Sequence, residues 1–135
     1  MKKTLSILLL AFTIMGMAMF ATPSAIENSD VEPKYLTEDS FDKAINTGVV
    51  VVEFVASFAE PFGDWQKIED GEYYRVDIEK YPGLAKKHRV RVVPTIMVFN
   101  NGSKELTYRA NIMFELEVTA DEIHEDIEDL LSNKF

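Results

Sequence analysis

Apolar positions along the chain fall into short segments whose spacing switches repeatedly between helical and extended periods. Ala44 and Ile45 follow Phe41 by three and four positions, so Thr37 can cap a helix that buries this face. Residues 49–55 are an almost unbroken apolar run rich in β-branched side chains, the pattern of a central strand buried on both faces. Residues 73–78 read as a second strand, and Pro82 suits the first turn of a short helix carrying Leu84, Ala85 and His88 on to Val90. Residues 95–99 form a third strand. Asn101 and Gly102 then supply the positive φ angles of a tight turn, returning residues 105–110 antiparallel beside it. Thr119 and Glu122 make a capping box for a last helix whose Ile123, Ile127, Leu130 and Leu131 form one apolar stripe. Two patterns are weaker. Phe62, Trp65 and Ile68 recur every third residue over about two helical turns. Ile112, Phe114, Leu116 and Val118 alternate with more polar positions, predicting an extra edge strand or a wall, with a helical turn pairing Ile112 and Leu116 as the alternative. Helix and strand in alternation, closed by a hairpin, imply an α/β fold with a mixed central sheet and helices on both faces.

The N-terminal segment stands apart from this pattern. Lys2 and Lys3 precede an apolar run to Phe20 and a small-residue stretch ending at Ala25, so residues 1–25 read as a secretory signal. Cleavage fits after Ala18, Ala21 or Ala25. The competing reading is an uncleaved anchor, because the run is only slightly shorter than the ~20 residues that span a bilayer, and contact with a membrane is expected only in that case. Residues 26–33 are an acidic linker, and residues 34–135 form one domain of a size that supports a single core. The expected location is outside the cytoplasm, periplasmic or secreted.

Composition narrows the chemistry. The formal charge of −9 becomes −11 once Lys2 and Lys3 leave with the signal, so nucleic acid and anionic lipid are repelled on average. Absence of cysteine removes disulfides, thiolate metal sites and cysteine nucleophiles. The two histidines, His88 and His124, fall on separate predicted helices and form no nucleophile–histidine–acid set. His124 lies among Asp121, Glu125 and Glu128, which read as a solvated helix face. No metal or cofactor is expected.

The segments Val52-Glu53-Phe54-Val55-Ala56-Ser57-Phe58, Val76-Asp77-Ile78, Tyr81-Pro82-Gly83-Leu84-Ala85 and Arg91-Val92-Val93-Pro94-Thr95, in this order, resemble the thioredoxin superfamily from about Thr37 to Leu131. The resemblance implies a thioredoxin-like fold with a shortened helix after the motif loop, since Gly63-Asp64 and Glu69-Asp70-Gly71 bracket little helical sequence. It places the family's C-x-x-C motif on Ala59-Glu60-Pro61-Phe62, with Ala59 and Phe62 in place of the two cysteines. Arg91 to Thr95 fall on the cis-proline loop. Glu53 falls on the buried acid that assists proton transfer in active members, where Tyr73, water or a turned-out side chain is expected to satisfy it. An insertion of about six residues follows Ala110, at the loop bordering the family's substrate groove.

Thiol–disulfide exchange requires a thiolate, and neither Ala59 nor Phe62 provides one. What the resemblance still implies is main-chain capture of an extended peptide beside the cis-proline, which needs no sulfur. The expected site is Phe58, Ala59, Glu60, Pro61, Phe62, Val93, Pro94 and Ala110, with Phe58, Ala59 and Phe62 as an apolar floor and residues 111–118 as a wall. The leading expectation is therefore a non-catalytic domain binding a peptide or protein. A structural subunit of an envelope assembly and an enzyme of non-thiol chemistry are the alternatives.

Overall fold

The computed structural model describes residues 31–133, so the signal and most of the linker lie outside the described residues. In chain order the elements are β1 (Lys34–Tyr35), α1 (Glu38–Ile45), β2 (Val49–Val55), a 3-10 helix (Gly63–Lys67), β3 (Glu72–Asp77), α2 (Pro82–Lys87), β4 (Thr95–Asn100), β5 (Ser103–Arg109) and α3 (Ala120–Ser132). The strands make one five-stranded sheet in the order β1-β3-β2-β4-β5. β1 and β2 run parallel to β3, while β4 is antiparallel to both β2 and β5.

Local signals set the element ends. Thr37 Oγ1 accepts from the Ser40 N–H at 3.2 Å and Ser40 Oγ accepts from the Thr37 N–H at 2.9 Å, a reciprocal cap for α1. Thr119 and Glu122 do the same for α3, at 3.2 and 2.8 Å. Asn101 and Gly102 have φ of 50° and 88°, the left-handed pair that a two-residue hairpin between twisted strands requires. Asn101 also ties this turn to the loop before β2, through its side chain to the Gly48 N–H at 2.9 Å and its own N–H to the Gly48 carbonyl at 3.0 Å.

Alternation along β2 and β4 divides the core into two layers. Val50, Val52, Phe54, Met97 and Phe99 face α1 and α2, meeting Phe41, Ile45 and Leu84. Val51, Ile96 and Val98 face α3 and the 3-10 helix, meeting Ile68, Tyr73, Ile123 and Ile127. On this second side Phe62 and Trp65 lie against the layer and Ile68 is buried within it, so large side chains cover the sheet where helix is scarce.

Four expectations are corrected. The segment after the motif is not a regular two-turn helix through Ile68: Gly63–Lys67 make only 3-10 turns, kinked at Asp64 (φ −88°, ψ 20°). α2 stops at Lys87, with Arg89 in the left-handed region, instead of reaching Val90. Leu131 is exposed on α3, outside the buried stripe. Residues 111–118 form neither an edge strand nor a helical turn. The Asn111 side chain accepts from the N–H groups of Met113 (2.8 Å) and Glu115 (3.1 Å), and the Asn111 N–H donates to the Glu115 carbonyl at 2.9 Å. These bonds close residues 111–115 into a compact turn with Phe114 at φ 62°, which leaves Ile112 and Phe114 exposed while Leu116 and Val118 pack half-buried against the second layer.

Candidate binding site

The degenerate motif loop leaves the C-terminal end of β2 and is held at both ends. At its start the Ser57 N–H donates to Glu79 Oε1 at 2.6 Å, and the Ser57 hydroxyl together with this N–H holds the Glu79 carboxyl below its ordinary value. At its end Phe62 is gripped through its backbone: its N–H donates to Glu53 Oε2 at 2.6 Å and its carbonyl accepts from Arg75 Nη2 at 3.0 Å.

The residues that hold Phe62 form a buried network. Glu53 on β2 and Arg75 on β3 are register partners, and Arg75 Nε donates to Glu53 Oε1 at 2.9 Å. The Tyr73 hydroxyl donates to the same oxygen at 2.8 Å. Burial, followed by the charge and hydrogen bond of Glu53, pushes the Tyr73 hydroxyl well above its ordinary pKa. An unpaired carboxylate at this depth would be strongly destabilising, whereas three donors satisfy this one. Tyr73 fills the role expected of it. Arg75 does not emerge from a reading built on family positions, although a lone cation two residues after Tyr73 in an apolar strand shares its face by alternation alone.

Beside the loop lies a groove of about 230 Å³, with Glu60, Pro61, Phe62 and Gly63 on the motif-loop side, Phe114, Glu115 and Leu116 on the turn side, and Pro94 between them. The Val93–Pro94 peptide bond is cis. The expected site residues separate around this groove. Glu60, Pro61, Phe62 and Pro94 line it. Ala59 lines instead a second hollow of about 310 Å³ with Tyr35, Ser57 and Asp77, and Pro61 borders both. Phe58 is no floor: it projects from the surface at 62% exposure and meets Phe114 edge-on, with ring centroids 5.5 Å apart. Val93 is only 1% exposed and Ala110 is buried, so neither offers its backbone at the surface. The Ala110 N–H is already taken by the Pro94 carbonyl at 3.1 Å.

The inserted turn supplies what the floor does not. Ile112, Met113 and Phe114 are 94%, 69% and 44% exposed, and through the Phe58–Phe114 contact they join Phe58 in one apolar patch beside the groove. Single exposed apolar side chains are ordinary, but neighbours on a hydrogen-bonded turn form a contiguous patch of the kind found at interaction sites.

On the far side of α3, His124 is held between carboxylates, with Nδ1 2.8 Å from Asp70 and Nε2 3.2 Å from Glu128. Asp70 holds its imidazole above the ordinary value. Asp70 comes from the loop before β3, and sequence gives no sign of this pairing.

The family model Thioredoxin matches residues 32–127. The chain belongs to the thioredoxin family. A thioredoxin of Staphylococcus epidermidis is 30% identical over 50% of this chain and 73% of its own length. Thioredoxin-1 of Saccharomyces cerevisiae is 27% identical over 53% of this chain and 78% of its own. Among solved structures, a mutant thioredoxin from Halobacterium salinarum superposes with a TM-score of 0.60 at 22% identity, covering 73% of this chain and 89% of that one. In this member of the thioredoxin family the five-stranded mixed sheet is kept and no cysteine is present. With no thiol to form a mixed disulfide, the motif loop has no means of exchange chemistry.

Proposed function

We propose that this is an exported, redox-inactive thioredoxin-family domain that binds an extended peptide or protein partner at the end of the sheet carrying the motif loop. The observation that carries this reading is the apolar patch of Phe58, Ile112, Met113 and Phe114, set against the groove between Phe62 and Pro94. A turn already closed by its own hydrogen bonds presents these side chains with no further backbone ordering when a partner covers them. Export rests on the positively charged, then apolar, start of the sequence.

The role of the Val93 backbone differs from the expectation drawn from the family. A buried Val93 is a poor main-chain partner, so side-chain burial on the patch and groove replaces strand pairing as the source of affinity. Two measurements test the reading together. The mature domain should reduce a protein disulfide no faster than buffer. It should also bind a permanently unfolded, carboxymethylated polypeptide, and Ile112→Asp with Phe58→Asp should weaken that binding at least tenfold with the thermal midpoint unchanged. Equal binding by the double variant, or catalytic disulfide turnover, refutes the proposal.

A further inference from the structure

Resting on that binding role, we propose that the groove selects a segment in which an apolar side chain is flanked by lysine or arginine. The groove is lined by an acid from each element, Glu60 from the motif loop and Glu115 from the inserted turn, and otherwise by Gly63 and apolar residues, Phe62, Pro94, Phe114 and Leu116 among them. No base lines the groove. Glu60 and Glu115 are exposed, and neither carboxylate has a hydrogen bond or ion pair among the described residues. An apolar centre between two unengaged anions is complementary to an apolar anchor between two cations, and it disfavours an acidic segment by like-charge contact. The net charge of −9 extends the same preference beyond contact range and speeds the encounter with a basic partner.

The exposed tip of Ile112, Met113 and Phe114 also has the composition of a membrane-inserting loop. The anions beside it argue against that occupant, because tip insertion would bring Glu115 towards the apolar phase, next to Phe114.

The test uses labelled peptides of about eight residues with a central leucine–phenylalanine pair, flanked on both sides by lysines, glutamines or glutamates, and phosphatidylcholine vesicles as a separate probe. At low salt the lysine-flanked peptide should bind about tenfold more tightly than the glutamine-flanked one, the order expected of two solvent-exposed ion pairs. The glutamate-flanked peptide should bind most weakly. Glu60→Gln with Glu115→Gln should reduce the lysine preference to about twofold without altering affinity for the glutamine-flanked peptide, and added salt should do the same. Both positions are exposed, so folding of the variant is checked by its unchanged thermal midpoint. Equal affinity for the three peptides overturns the charge selection and leaves the binding role standing. Capture of vesicles with no peptide binding overturns both.

Discussion

The two faces of the sheet are closed by different means. α1 and α2 cover one face with Phe41, Phe54 and Phe99 packed ring against ring, at centroid distances of 6.2 Å and 5.9 Å from Phe41. The other face has α3 and only a five-residue 3-10 helix, and its middle is occupied by Glu53, Arg75 and Tyr73. On the first face, shape and apolar area account for cohesion. On the second, a charged pair doubles as the fastening for a loop that has lost its helix, so stability and the form of the binding groove depend on the same few atoms.

The largest test of this contrast is to break each face at its centre. Arg75→Met strands Glu53 and releases the Phe62 carbonyl, and should cost about 3–5 kcal/mol in urea unfolding. Phe41→Ala should cost a comparable ~3–5 kcal/mol through the cavity it leaves. Only the first should also alter the near-ultraviolet signal of Trp65, which packs against Tyr73 at 5.5 Å. If Arg75→Met leaves that signal and the stability intact, the fastening role is wrong.

A smaller effect comes from the caps. Thr119→Ala should cost about 1–2 kcal/mol and Thr37→Ala about 0.5–1 kcal/mol, because α3 is the main cover of its face whereas α1 shares its face with α2. The reverse order would count against the unequal division of cover.

The smallest effect is one of sign, since the two histidines are shifted in opposite directions. His88 packs against Phe41 at 4.7 Å with its Nε2 buried and without a partner among the described residues, and burial holds its imidazole below the ordinary value. The unfolded chain therefore takes up that proton first, and stability drops as pH falls below about 6.5. His124 is raised by Asp70, so the folded chain takes up its proton first; that contribution is complete below about pH 6.5 and is lost as pH rises through the raised value. His88→Phe should leave a protein whose urea midpoint falls as pH rises, and His124→Gln one whose midpoint rises with pH, measured between about pH 5 and 8. Slopes of the same sign in both variants would remove the distinction.

Much of the first face was legible in sequence, because helix caps, β-branched runs and the Asn101–Gly102 turn act through near neighbours. The second face was read less well. That Glu53 needs a partner follows from its burial, and alternation puts Tyr73 and Arg75 on one face, but which of them lies opposite Glu53 is fixed by strand register, a long-range property. The inserted turn misled for a related reason. Alternating Ile112, Phe114 and Leu116 describe a strand only if the backbone N–H groups are left free for a neighbour, and the Asn111 side chain takes two of them. Family positions alone put Phe58 and Ala59 on the groove, whereas the loop geometry sends one outward and the other into the neighbouring hollow.

Glu53 also bears on what new side chains in the motif loop could achieve. Its two oxygens already accept from Phe62, Tyr73 and Arg75, so these donors would have to be released before it could turn to a new partner beside the motif loop. Thiols placed at Ala59 and Phe62 would therefore supply the sulfur while Glu53 stays fastened to the loop between them and the sheet.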